Sequence, residues 1–174
     1  MDAVLRNYVH AETAKFTALS GALQAARRRG YLYKSELVAV CKWKSSRALP
    51  LVQKNHGNTV IAITRRALNA RNEEEKMAEL ISLSGVGVPM ASAILAAMNP
   101  QRYGVIDIRV WQVLYRFRVV RCTSTGIGLR VRHWATYLEA LRAWSSAYGL
   151  SARAVEQAIF KHHIERVQNG RLYA

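Results

Sequence analysis

Apolar positions recur at helical spacing almost from one end of the chain to the other. In residues 3–29, Val4, Leu5, Tyr8, Val9, Phe16, Leu19 and Leu23 follow a 3.6-residue period and predict one long helix. Asp2 is placed to cap its start, Arg27, Arg28 and Arg29 suit the negative end of its dipole, and Gly30 can stop it. A second helix is expected from Ser35, with Glu36 as an acid in its first turn. It carries Leu37, Val38, Val40, Cys41 and Trp43 and ends before Pro50, which forbids continuation. Residues 58–70 predict a third helix. Asn72 followed by Glu75 is a capping-box pattern for a fourth, running through Leu83. Gly85-Val86-Gly87 then separates it from a helix of small residues over 88–98. Pro100 and Gly104 mark 99–104 as loop, and Asp107 opens a helix over 108–118. Beyond a polar loop at 123–128, helices are expected near 131–147 and 151–168, the last capped by Ser151 and closed by Gly170. The stretch 119–129 leaves room for a short extended piece. The pattern predicts an all-α protein, a single domain over residues 1–174, built as a helical bundle or as two small lobes with a cleft between them.

Charge narrows what such a bundle does. The 174 residues hold 26 Lys and Arg against 11 Asp and Glu, a net +15, and the only aspartates are Asp2 and Asp107. That imbalance calls for an anionic partner, nucleic acid before others. The apolar fraction of 51% supplies a core, which excludes a disordered basic tail. Two cysteines, Cys41 and Cys122, are too few for a four-cysteine iron–sulfur cluster. No apolar run suits a signal peptide or a membrane span. A monomeric, cytoplasmic protein with no membrane partner is expected, nucleoid-associated if bacterial.

The most specific segment is LISLSGVGVPMASAIL, residues 80–95. Two short helices meet at a turn whose glycines permit left-handed backbone and leave amides uncovered. At the N-terminus of the second helix those amides make a phosphate site that is indifferent to base sequence. Val86 fills the wedge between the helices and Ala91 lets them approach. An ordinary helix–glycine–helix corner would show the same glycines, so the flanking periodicity and the charge matter as much as the turn.

Twenty residues past Gly87, Val105-Ile106-Asp107 delivers a carboxylate to the start of an amphipathic helix. Hairpin and aspartate together resemble the helix-hairpin-helix DNA glycosylase superfamily, with the hairpin at 76–98 and the aspartate and its helix at 105–118. The resemblance implies a DNA-binding base-excision enzyme acting on double-stranded DNA, with a modified or mismatched base flipped out of the duplex. It makes Asp107 the catalytic residue, a carboxylate that stabilises the oxocarbenium-like sugar as the N-glycosidic bond breaks. Gly85, Val86 and Gly87 would grip the backbone, and the turn carbonyls over 83–87 can hold a structural K+ or Na+ in proteins of this kind. Where bifunctional members carry a nucleophilic lysine, two residues past the second glycine, this chain has Pro89. A monofunctional glycosylase, attacked by water, is therefore expected, with no iron–sulfur cluster and no transition metal. The alternative is a non-enzymatic hairpin module that binds DNA structure, in which Asp107 is only a helix cap.

The segment CKWKSSR, residues 41–47, occupies by order the place where the superfamily builds a pocket wall and an intercalating element. Trp43 is a candidate to stack on an extruded base, and Lys42 and Lys44 to meet phosphate or a departing base; core packing and solvated lysines are the competing readings. Arg109 is a further DNA-contact candidate. Tyr103, four residues before Asp107, is a second pocket candidate, whereas Trp111, in phase with Val110 and Leu114, reads as core. His162 and His163 are adjacent on one helix and ill placed to share a metal.

Overall fold

The computed structural model describes residues 1–166, which form helices joined by short connections with no strand among the described residues. The helices are α1 (Asp2–Tyr8), α2 (Ala14–Arg29), α3 (Lys34–Lys44), α4 (Leu49–Val52), α5 (Gly57–Leu68), α6 (Glu73–Ile81), α7 (Val88–Met98), α8 (Ile108–Arg116), α9 (Val131–Tyr148) and α10 (Ala152–Arg166). A 3-10 turn, Ser46–Ala48, leads into α4. No described helix is long and apolar enough to cross a membrane.

Local chemistry explains most boundaries and corrects several. The long helix expected over 3–29 is two helices. Val9 turns extended, and the Thr13 hydroxyl restarts the chain by accepting from the Phe16 amide at 3.3 Å. Gly30 ends α2 in the left-handed conformation at φ 80°, its amide bonded to the Ala26 carbonyl. The start of α3 is set at Tyr33 rather than Ser35, because Glu36 reaches back to the Tyr33 amide at 2.7 Å. Pro50 does not terminate α3; it stands in the first turn of α4, where a missing amide costs nothing. Asn72 caps α6 through the Glu75 amide at 2.8 Å, and Ser151 caps α10 through Ala154 at 3.0 Å. Helices α6 and α8 end at Ile81 and Arg116, short of the expected Leu83 and residue 118. Residues 119–129 contain no extended element. Gly170, the expected end of the last helix, lies outside the described residues.

Helix α7 is the axis of the fold. Apart from Pro89, all of its residues are buried, because its small side chains let α2, α3 and α6 close around it. Helices α1, α8 and α9 gather instead around α10, and α6 meets α9 between the two groups. One continuous apolar cluster runs through both groups, from Val4 to Ile159, with Trp111, Trp134 and Tyr137 fully enclosed. A cleft of about 570 Å³ opens where the end of α3 faces α8 and α10.

Candidate active site and hairpin

Asp107 lies in that cleft, placed there by its role as a helix cap, by bonds to the two residues before it and by Lys44. Its backbone is extended, and its Oδ1 accepts from the Val110 amide at 3.1 Å, so the carboxylate is the N-cap of α8. The preceding peptides are held from three sides. Ser92 Oγ of α7 accepts from the Ile106 amide at 3.1 Å, Glu156 Oε2 accepts from Val105 at 3.1 Å, and the Tyr137 hydroxyl donates to the Val105 carbonyl at 3.1 Å. Gly104 permits this closeness: a Cβ there would fall 2.6–2.9 Å from Leu141, Glu156 and Tyr137. Oδ2 of Asp107 meets Lys44 Nζ at 3.3 Å, both side chains being less than one-fifth exposed. An acid and a lysine from residues 63 apart in sequence thus share one wall of the cleft.

The remaining walls come from the α1–α2 connection, α3 and α10. Trp43 packs edge-tilted on Phe16, with ring centroids 5.1 Å apart, and borders the cleft beside Thr13, Phe160 and Arg153. Arg109 is exposed, lines the cleft and lies over the Phe160 ring at 5.7 Å. Behind them sits a buried charged array. Arg153 pairs with Glu156 and, at 2.8 Å, with Glu12, while Gln157 reaches the other Glu12 oxygen at 2.5 Å. Burial pushes the Glu156 carboxyl up from its ordinary value, and Asp107 and its own ion pair with Arg153 act on it in opposite senses.

The hairpin expected at Gly85–Gly87 is present as a helix–turn–helix corner between α6 and α7. Gly85 is left-handed at φ 76°, and a Cβ on it would come within 2.8 Å of Leu51 Cβ and 2.9 Å of the Val52 amide nitrogen. Gly87 is different: it is exposed and extended, and a Cβ there would meet only Pro89 Cδ, at an ordinary 3.9 Å. Val86 is buried as expected. The turn is braced by Asn55, which donates to the Ser84 carbonyl and accepts from the Ser84 amide, both at 2.9 Å. The Leu83 carbonyl accepts from Val86. Two of the carbonyls suggested for a monovalent cation are therefore already engaged, each keeping one lone pair.

Two expected site residues lie elsewhere. Tyr103 does not line the cleft: its ring is buried and stacked on Trp134 at 6.2 Å, because its hydroxyl is drawn to Glu73 at 3.0 Å and to Lys76 at 3.2 Å. Lys42 is exposed at the end of α3 and takes no part in the cleft lining. Trp111 is core, its indole N–H bonded to the carbonyls of Cys122 and Thr123. Conversely, Asn55, Arg153 and Glu156 belong to the site although no motif marks them. A signal existed for the last, since Glu156 falls in phase with Ala152, Val155 and Ile159 on the buried stripe of α10.

No protein-family model, curated protein or solved structure matches the chain, so its chemistry rests on its own geometry.

Proposed function

We propose that the chain is a helix-hairpin-helix protein of the DNA glycosylase type, a monofunctional enzyme that hydrolyses the N-glycosidic bond of a modified or mismatched base flipped from double-stranded DNA. The observation that carries this reading is a rigidly capped aspartate in a cleft of about 570 Å³, large enough for a nucleobase, with a lysine at 3.3 Å and a tryptophan on the wall. Hairpin and cleft are mechanically joined. Ser92, which holds Ile106, lies five residues along α7 from Gly87, or about 7–8 Å at 1.5 Å per residue. A phosphate gripped by the amides at the start of α7 would thus sit close to the sugar whose bond is broken.

In this reading the amides of Gly87, Val88 and Met90 grip the backbone, Pro89 having no amide to give. Trp43 stacks on the extruded base. Asp107 stabilises positive charge on the deoxyribose, and water completes the hydrolysis. Lys44 holds the carboxylate by its ion pair before substrate arrives and can then donate to the departing base. Arg109 faces the backbone of the lesion strand.

One observation favours the other reading, a binding module without chemistry: both oxygens of Asp107 already have protein partners, Val110 and Lys44, as a purely structural cap would. Duplexes carrying alkylated, oxidised, deaminated or mismatched bases separate the two. The enzyme releases base and leaves abasic sites, Asp107→Asn does not, and both bind DNA alike. Intact binding with no base released from any duplex establishes the module. Under either reading, six to ten phosphate contacts would lower affinity by about three to five decades between 50 and 200 mM salt.

A further inference from the structure

Among the exposed large apolar side chains, Ile108, Tyr115, Phe117 and Ile127 fall within twenty residues of one another, against Val9, Tyr33, Leu51 and Ile81 scattered over the rest of the described chain. The same region is the most one-sided in charge. Between Asp107 and Glu139 the sequence holds Arg109, Arg116, Arg118, Arg121, Arg130 and Arg132, all exposed, and no carboxylate. A stretch of chain that exposes apolar side chains and whose charged residues are all cations suits a polyanion that offers an apolar interior.

Ile127 is the most exposed of these side chains, at 67%. It stands between Gly126 and Gly128, both left-handed at φ near 70°, a backbone that presents the side chain at the tip of the loop. The loop is anchored. Trp111 Nε1 donates to the carbonyls of Cys122 and Thr123 at 3.1 and 2.8 Å, Gln112 Nε2 donates to Thr125 at 3.0 Å, and the Ile127 amide donates to Thr125 Oγ1 at 3.3 Å. Gly126 is pressed onto the first turn of α8: a Cβ there would lie 3.0 Å from the Cα and carbonyl oxygen of Ile108. Ile108 is the residue after Asp107. The turn of helix that aims the carboxylate therefore also seats the loop that displays Ile127.

We infer that Ile127 is a wedge that enters the base stack of duplex DNA and occupies the space left when a nucleotide swings out towards Asp107. The inference rests on the base-excision reading and assigns the intercalating role to the loop after α8, not to the segment after α3 where the family resemblance would place it. Unstacking a base step costs a few kcal/mol, and an apolar side chain held at a fixed position offsets part of that by leaving water and filling the gap. Because the tip is already ordered, little conformational freedom remains to be lost on insertion. The flanking arginines meet the phosphates on either side of the opened step.

The test uses the full chain and a duplex containing a tetrahydrofuran abasic analogue opposite 2-aminopurine. Wild type should bind this duplex more tightly than an intact one and change the 2-aminopurine fluorescence as the stack is entered. Ile127→Ala should melt at the wild-type temperature, lose most of the fluorescence change and bind the abasic duplex roughly tenfold more weakly, the loss expected for one apolar side chain. Ile127→Leu should restore both signals. Equal affinity and equal fluorescence change for wild type and Ile127→Ala overturn the wedge, even where Asp107-dependent base release persists. Wild type that neither prefers the abasic duplex nor releases any base overturns the wedge and the excision reading together.

Discussion

Glu73 and Asp107 are each a carboxylate in an ion pair with lysine, and their side chains are nearly equally exposed, at 21% and 17%. Their surroundings differ in kind. Glu73, in the first turn of α6, collects Arg142 at 2.7 Å, Arg102 at 3.4 Å, Lys76 at 3.7 Å and the Tyr103 hydroxyl at 3.0 Å, drawing α6, α9 and the 99–104 connection together. Asp107 has one cation, Lys44, and one backbone amide, and it faces open space large enough for a ligand. A carboxylate saturated with donors is structural. One held in place by a single side chain beside a cleft retains capacity for something else. Clustered charge alone does not distinguish them; the unfilled volume does.

The largest effect that sharpens this contrast lies behind the cleft. Arg153→Met leaves Glu156 buried without its ion-pair partner and should destabilise the fold by about 3–5 kcal/mol, read as a shift in urea midpoint. Next comes Asp107→Asn. Asparagine still caps a helix, so stability should move by less than about 1 kcal/mol, while base release should fall by about 10²–10³-fold. Glu73→Gln should do the reverse, lowering thermal stability and leaving release unchanged. If both substitutions act on stability alone, the two nodes are equivalent and Asp107 is a cap.

The hairpin offers a smaller, divided effect. Gly85→Ala forces a Cβ against Leu51 and Val52 in a left-handed backbone, and should cost roughly 1–3 kcal/mol. Gly87→Ala brings a Cβ only into ordinary contact with Pro89 and should leave the melting curve almost unchanged, so any loss of duplex affinity there reports contact with DNA rather than misfolding.

The smallest expected effect is in pH. Burial works against the charge on Glu73, but Arg142, Lys76 and the Tyr103 hydroxyl outweigh it and hold the carboxyl below its ordinary 4.5. Its stabilisation is present above 4.5 and lost as pH falls through the lower folded value. Glu156 has the opposite sign: burial raises its folded value, so its contribution is complete below 4.5 and declines as pH rises through that higher value. Denaturation series should show Glu73→Gln flattening the acid limb and Glu156→Gln flattening the limb above it.

Much of the fold was legible because its signals are local. Gly30, Asn72, Ser151 and Asp107 each bond within four residues of themselves, and sequence spacing reveals such partners. The break between α1 and α2 was hidden because no glycine or proline marks it; only Thr13, three residues before Phe16, hinted at a new start. The candidate site was half legible. Asp107 and the glycine turn are local features, but Lys44 reaches Asp107 from 63 residues away, and Arg153 reaches Glu12 from 141. Tyr103 is drawn away from the cleft by an equally remote partner, its hydroxyl being claimed by Glu73, 30 residues earlier.

Helix α7 has almost no surface facing water, and that shapes how the molecule breathes. An element enclosed on every side has little freedom to fray by itself, so its inner amides are expected among the last to exchange with solvent. The turn proposed to grip DNA is joined directly to this enclosed segment. Force applied by a bent duplex would therefore be transmitted into the part of the protein least able to yield, and the deformation would fall on the nucleic acid.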